Sequence, residues 1–277
     1  MHVAKVITRS AIGLLVVALA PACRCSREAP GDARNPQPSA NAGEGASSTT
    51  ARGREPQAVG SLGGYTYESR SFDLTKTSLK VIDLHMSRDL EGALASSKEG
   101  IAIVNGGFFD PEQRPLGLAM SDGVVLSPFR KSTGGVLLVV DGRASMFAVE
   151  EFSMPKPPPA HGFGIQCLPR LIVSGERNVT RDDGKHTERT ALCVEGSATD
   201  GGSGGDRLRF VYARGARGGD GPTLAEFAQY LAGEKCRDAL NLDGGPSAGF
   251  AYRRPDGQIT AFNPRGAVRH AIVAETR

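Results

Sequence analysis

The 277-residue chain has no tryptophan, and aromatic residues make up only 6% of it. No aromatic platform for stacking bases or sugars is visible. Net charge is only +3, and the basic residues are scattered rather than gathered in a tract, which argues against a nucleic-acid partner. The 5 histidines form no H-x-x-x-H pair and the 5 cysteines no C-x-x-C pair, so no metal site and no cofactor are expected. Long apolar runs are missing as well. With charged residues at 23% and hydrophobic ones at 39%, a fully disordered chain and a multi-span membrane protein are both excluded.

What the chain has in excess is glycine, 36 residues, about twice the average share. No collagen-like period accompanies it, so the glycines serve turns and close backbone approaches.

Residues 1–23 read as an export signal. Lys5 and Arg9 precede the apolar run Ala11–Ala20, which is too short to span a bilayer and ends in Ala20-Pro21-Ala22-Cys23. One reading is cleavage after Ala22, giving a secreted or periplasmic protein. The other is a bacterial lipoprotein signal, with Cys23 lipidated as the anchor to the cell envelope and as the chain's sole contact with membrane. Residues 24–60 are rich in Pro, Gly, Ala, Ser and charge, and are expected to form a disordered tether. Residues 61–277 are then left for one folded domain. Its cysteines, Cys167, Cys193 and Cys236, leave at least one unpaired unless Cys25 reaches in, and an exported location permits disulfides.

The domain reads as strand-heavy. Alternating or short apolar runs predict strands at Leu79–His85, Gly100–Val104, Gly135–Val140, Ala144–Val149, Leu171–Val173, Ala191–Val194, Leu208–Ala213, Ala239–Leu242, Gly249–Tyr252 and Ala271–Ala274. Asp141-Gly142 marks a hairpin turn. A short helix is expected over Leu90–Ser97. A better-marked one follows Thr223, which forms a capping box with Glu226 and precedes an apolar face of Leu224, Phe227, Ala228 and Leu231. Met154–His161 and Thr199–Asp206 read as loops. Many strands with few, non-alternating helices favour an α+β fold with a mixed or antiparallel sheet.

Two segments share one pattern, an apolar strand running into a polar residue and paired glycines. They are Ile103-Val104-Asn105-Gly106-Gly107-Phe108-Phe109-Asp110 and Leu240-Asn241-Leu242-Asp243-Gly244-Gly245-Pro246-Ser247. Such pairs let a ligand approach the main chain, and their N–H groups can face an anion. The plainer alternative is a tight turn with Asn105 or Asp243 capping local N–H groups. Arginines are the third ingredient: Arg170 after Pro169, Arg189 before Thr190, and Arg265 and Arg269 near the C-terminus. Guanidinium groups bind phosphate bidentately.

The ordered blocks VNGGFFD (Val104–Asp110), PLGLAMSDG (Pro115–Gly123), QCLPRLIVSGE (Gln166–Glu176), ERTALCV (Glu188–Val194), GPTLAEFAQYL (Gly221–Leu231) and ALNLDGGPSAGF (Ala239–Phe250) resemble the phosphodiester glycosidase family. The resemblance runs over roughly residues 79–275. It implies hydrolysis of the bond between a sugar's anomeric carbon and a phosphate oxygen, with a sugar-1-phosphodiester or phosphorylated glycan as partner. By the matching blocks, Asn105 joins the catalytic group. Gly106, Gly107, Asp110, Arg170, Arg189, Asn241, Gly244, Gly245 and Ser247 line the substrate. The chain departs from the family pattern at Pro246, which removes an N–H donor, and at Cys167-Leu168, where Leu168 adds bulk to the expected rim.

The chemistry is consistent with those residues. Cleavage at an anomeric carbon passes through an oxocarbenium-like transition state, and a phosphate monoester departs as a stabilised anion, so electrostatic support outweighs acid assistance. A carboxylate must still activate water or attack. Asp243 is the first candidate, Glu188 or Asp110 the second, with Arg170 and Arg189 expected on the phosphate. Two other classes compete. One is a non-catalytic glycan- or exopolysaccharide-binding lipoprotein. The other is a metal-dependent phosphodiesterase using Asp182, Asp183 and His186, which otherwise read as an exposed turn.

Overall fold

The structure, a computed structural model, describes residues 57–277 apart from 133, 180, 197–203 and 218, and side chains from residue 60. In chain order the strands are β1 Gln57–Leu62, β2 Tyr65–Asp73, β3 Thr77–Ser87, β4 Gly100–Asn105, β5 Ala119–Ser121, β6 Val124–Ser127, β7 Gly135–Val140, β8 Arg143–Ala148, β9 Phe163–Cys167, β10 Arg170–Val173, β11 Glu176–Arg177, β12 Arg189–Glu195, β13 Arg207–Arg214, β14 Cys236–Asn241, β15 Phe250–Arg253, β16 Ile259–Phe262 and β17 Val268–Thr276. Two α-helices, α1 Leu90–Ser96 and α2 Leu224–Gly233, and a 3-10 turn at Gly245–Ser247 complete the elements. The fold is thus mostly β with few helices.

Three sheets form, and among the described residues every strand pairing is antiparallel. A seven-stranded sheet runs β1-β2-β13-β12-β14-β10-β11. Two five-stranded sheets run β16-β15-β4-β17-β3 and β6-β5-β9-β7-β8. All three contribute to one core: Phe72, Leu192, Phe210 and Leu240 from the first, Val104, Phe250 and Ile272 from the second, Leu137, Phe163 and Ile165 from the third. The outer face of the first sheet is covered by α2, whose Phe227, Ala228 and Leu231 pack on Tyr67, Ala191, Val211 and Ala239. The outer face of the second is covered by Leu90 and Leu94 of α1.

Local chemistry accounts for the best-marked elements. Thr223 caps α2, accepting from the Glu226 amide while the Glu226 carboxylate accepts from the Thr223 amide. Asp141 and Gly142 both take positive φ (49° and 74°), as a two-residue hairpin between β7 and β8 requires.

The structure differs from expectation in several places. Strand β1 begins at Gln57, inside the segment expected to be a tether. Strand β2 was hidden by its polar side chains, yet Glu68, Ser69 and Ser71 are buried because β1 and β13 flank it. Met154–His161, by contrast, is the loop expected, with no helix or strand. Of the loop expected over Thr199–Asp206, residues 199–203 lie outside the described residues, while Gly205 bridges to Ala144.

Candidate active site

Several elements end at one place. The carboxyl ends of β4, β9 and β14 and the amino ends of β12 and β17 meet there, because β17 runs antiparallel to β4 and β12 antiparallel to β14. The two glycine-paired segments leave β4 and β14 side by side.

Asn105, fully buried, joins them. Its Nδ2 donates to the carbonyls of Gly106 (3.0 Å) and Asp243 (2.8 Å). Its Oδ1 accepts from the Thr190 hydroxyl (2.9 Å) and the Gly249 amide (3.1 Å). Thr190 also reaches the Asp243 carbonyl at 3.1 Å.

Asp243 is half-buried just past β14. Its Oδ1 accepts from the Gly244 amide at 2.9 Å, and the Ser247 hydroxyl also bonds its carboxylate. Burial raises its pKa above the usual carboxylate range, with these two donors pulling the other way. Beside it, burial and then the Asp243 charge push the Cys167 thiol up to about 12.

The glycine amides do not face a ligand, contrary to the anion-nest expectation. Gly106 donates to the His270 carbonyl (2.8 Å) and Gly107 to His270 Nε2 (3.1 Å). Gly244 donates to Asp243, and Gly245 to the Glu188 carbonyl (2.8 Å). All four donors are used internally, so what these positions supply is close approach. A Cβ on Gly106 would stand 2.2 Å from His270 Cδ2, and one on Gly244 3.2 Å from the Glu188 carbonyl. Pro246 sits in the first turn of the 3-10 segment, where an N–H has no intrahelical partner anyway, so its missing donor costs the turn nothing.

Arg170 and Arg189 are not brought together. Arg189 pairs across from Ala213 and faces α2. Its Nε donates to the Pro222 carbonyl (3.2 Å) and its Nη2 to the Lys185 carbonyl (2.7 Å), while Nη1 lies 3.8 Å from where a Gly244 Cβ would be. Arg170 pairs across from Leu240 and so faces the central core and the third sheet. Opposed residues of an antiparallel pair share a face, so the two side chains leave opposite faces of the seven-stranded sheet.

The second carboxylate candidates are engaged elsewhere. Buried Glu188 accepts from Arg265 (Nη2 to Oε2, 2.8 Å) and from the Gly219 amide (3.1 Å). Asp110 accepts from the Arg114 amide and Nε, both at 2.8 Å, and these bonds hold it below the usual carboxylate range. Arg269 pairs with Asp83 at 2.6 Å. Asn241 donates to the carbonyls of Leu168 (2.9 Å) and Leu242 (2.7 Å) and fixes the rim on which Leu168 stands exposed.

Sequence reasoning missed His270 and Thr190, and it named Arg265 without pairing it with Glu188. Thr190 stood in the ERTALCV block. Nothing marked His270, whose ring lies against Gly106 and whose pKa is lowered to about 4, by burial first and then by Arg269, with Asp83 opposing. Cys193 and Cys236 form a disulfide, and Cys167 is free and buried. Among the described residues no three His, Cys, Asp or Glu side chains gather as metal ligands.

Comparison with known proteins bears on this arrangement. No curated protein matches the chain. Its fold is similar to that of a Synechocystis protein without assigned function (16% identity, TM-score 0.56, covering 80% of this chain and 61% of that one). It is also similar to the zebrafish N-acetylglucosamine-1-phosphodiester α-N-acetylglucosaminidase catalytic domain auto-inhibited by its propeptide (17%, 0.58, 81% and 83%). A third similar structure is a Burkholderia pseudomallei protein described as exported (14%, 0.52, 76% and 74%). At such identities the likeness is one of fold. The chain thus spans 61% of the length of the Synechocystis protein. The sequence model that matches residues 98–274, from just before β4 into β17 and so through both glycine-paired segments, is that of phosphodiester glycosidases, and the chain belongs to that family.

Proposed function

We propose that the domain hydrolyses the bond between a sugar's anomeric carbon and the phosphate oxygen of a sugar-1-phosphodiester. The observation that carries this reading is Asp243. It is a carboxyl held by Gly244 and Ser247 where the loops meet, and burial raises its pKa above the usual carboxylate range.

In this reading Asp243 activates water or attacks the anomeric carbon, and the phosphate monoester leaves as a stabilised anion. Ser247 and Gly244 orient the carboxylate. Arg189, with Nη1 turned toward the Gly244 backbone, supplies positive potential beside it. Asn105 and Asn241, whose amide donors are committed to main-chain carbonyls, act as positioning residues. Glu188 acts through Arg265, which it holds at 2.8 Å. Gly106, Gly107, Gly244 and Gly245 shape the wall by lacking a side chain, and Asp110 shapes its own loop. An exported location fits the Cys193–Cys236 disulfide, and the anchor at Cys23 belongs to the same proposal.

A second reading, a glycan-binding protein without catalysis, is favoured by one observation: none of the four amides of Gly106, Gly107, Gly244 and Gly245 remains to support developing charge. One experiment separates them. Sugar-1-phosphodiesters are incubated with the protein and with Asp243→Asn, and the products identified. Free sugar plus phosphomonoester, lost in the variant, supports the glycosidase. Sugar phosphate plus alcohol, or full turnover by the variant, overturns it.

A further inference from the structure

Arg170 is left with too little. Its side chain is only 15% exposed, yet among the described residues the carboxylate within ion-pair reach of it, Asp238, stands 3.9 Å from Nη2. Both oxygens of that carboxylate are already engaged, Oδ2 by Arg237 Nε at 2.8 Å and Oδ1 by the Ser174 amide at 3.2 Å. Arg170 Nε is buried without any partner, and none of its side-chain nitrogens makes a hydrogen bond to the described residues. Asp238 is thus already shared, and Arg170 keeps no hydrogen-bonded anion of its own among the described residues. A buried charge without a hydrogen-bonded partner costs several kcal/mol unless something outside the chain completes it.

The surroundings are shaped to let something in. The stem of Arg170 lies across Gly135, where a Cβ would meet Arg170 Cγ at 2.6 Å, so the guanidinium is held in one place by the bare backbone of β7. The group lines a cleft of about 270 Å³, walled by Gly134, Leu168, Pro169 and Asn178, with Glu150 exposed at the mouth. Leu168 and Pro169 are the residues whose carbonyls bind Asn241, two positions before Asp243. The cleft therefore opens one strand away from Asp243, on the sheet face opposite Arg189.

We propose that this cleft is an oxyanion subsite, in which Arg170 binds a phosphate or carboxylate carried by the substrate beyond its scissile phosphodiester. The assignment of the group to a substrate rests on the proposed function; anion binding at Arg170 does not. It narrows the substrate class to glycosyl phosphodiesters whose aglycone bears a further negative charge.

The test uses inorganic phosphate and acetate as separate probes, titrated against the full folded domain while the Arg170 Nε–H signal is followed by NMR and melting temperature is measured. Saturable binding of either probe that shifts that signal is expected. Arg170→Gln should weaken it about tenfold or more, and Asp243→Asn should leave it unchanged. Arg170→Lys, which keeps charge but not the two-pronged geometry, should bind at an intermediate level and stands in if the glutamine variant does not fold. The stronger probe identifies the anion type. No saturation at tens of millimolar, or equal binding by the variants, overturns the proposal. Phosphodiesters with neutral and anionic aglycones are then compared: a preference for the anionic one that Arg170→Gln abolishes is expected. Arg170-dependent anion binding with no hydrolysis of any substrate would sink the glycosidase reading and leave the subsite standing.

Discussion

The Asn105 side chain donates to the main-chain carbonyl of Asp243 across 2.8 Å, 138 residues away in sequence. With the one Thr190 hydroxyl proton shared between Asn105 Oδ1 and the Asp243 carbonyl, three strand ends are joined through one buried amide whose donors and acceptor are all used. Asn105→Leu would strand the Gly249 amide and leave the Thr190 hydroxyl with the Asp243 carbonyl alone, and is expected to cost roughly 3 kcal/mol in urea unfolding. Thr190→Val should cost about 1 kcal/mol, and the double variant less than the sum, because the two share a bond. Additive costs would mean that the two groups act separately.

Asp243 is expected to be a liability for stability. Its raised pKa means that the folded state holds the proton more readily than the unfolded chain. The associated stability is full below the unfolded carboxylate pKa and is lost as pH rises through the folded value. Asp243→Asn removes that loss while keeping an oxygen for the Gly244 amide. At pH 8 the variant should be at least as stable as the parent, and the gap should close toward pH 4. A variant clearly weaker at pH 8 would show that the charge is favourable where it sits.

His270 carries the opposite sign. Nε2 accepts from Gly107, so the ring is neutral, and its pKa is lowered to about 4 by burial and by Arg269, against Asp83. The unfolded state binds the proton first, so stability falls as pH drops from about 6.5 toward 4, by on the order of 3 kcal/mol over the window. His270→Gln should flatten that stretch of the acid-unfolding profile. A profile of unchanged slope would place the acid sensitivity elsewhere.

Two glycines should respond in opposite directions to alanine. At Gly106 the new Cβ would meet His270 Cδ2 at 2.2 Å and the His270 carbonyl at 2.9 Å, so a loss of about 3 kcal/mol is expected. At Gly233, in the last turn of α2, nothing lies within 4 Å, and alanine should add about 0.5–1 kcal/mol. Thermal melts of both variants check the contrast.

The disulfide spans 43 residues and closes β12 onto β14 inside the core beneath α2. Replacing both cysteines by alanine is expected to cost about 4 kcal/mol on the chain-entropy account. A cost below 1 kcal/mol would show that the unfolded chain is scarcely constrained by it.

Sequence alone determined what depends on near neighbours. The cap of α2 is set by Thr223 and Glu226, three residues apart. The β7–β8 hairpin is set by Asp141-Gly142, which takes the positive φ its turn needs. Asp243 was legible at the end of an apolar strand before two glycines, and the family blocks fall in order along the chain. Tertiary structure alone decided where polar atoms point once distant strands meet. It turned Arg170 and Arg189 to opposite faces, because strand register and not residue type sets the side a chain faces. It gave the Gly106, Gly107 and Gly245 amides to His270 and Glu188, and it paired Cys193 with Cys236. Each of these contacts was decided by antiparallel neighbours that no local pattern names.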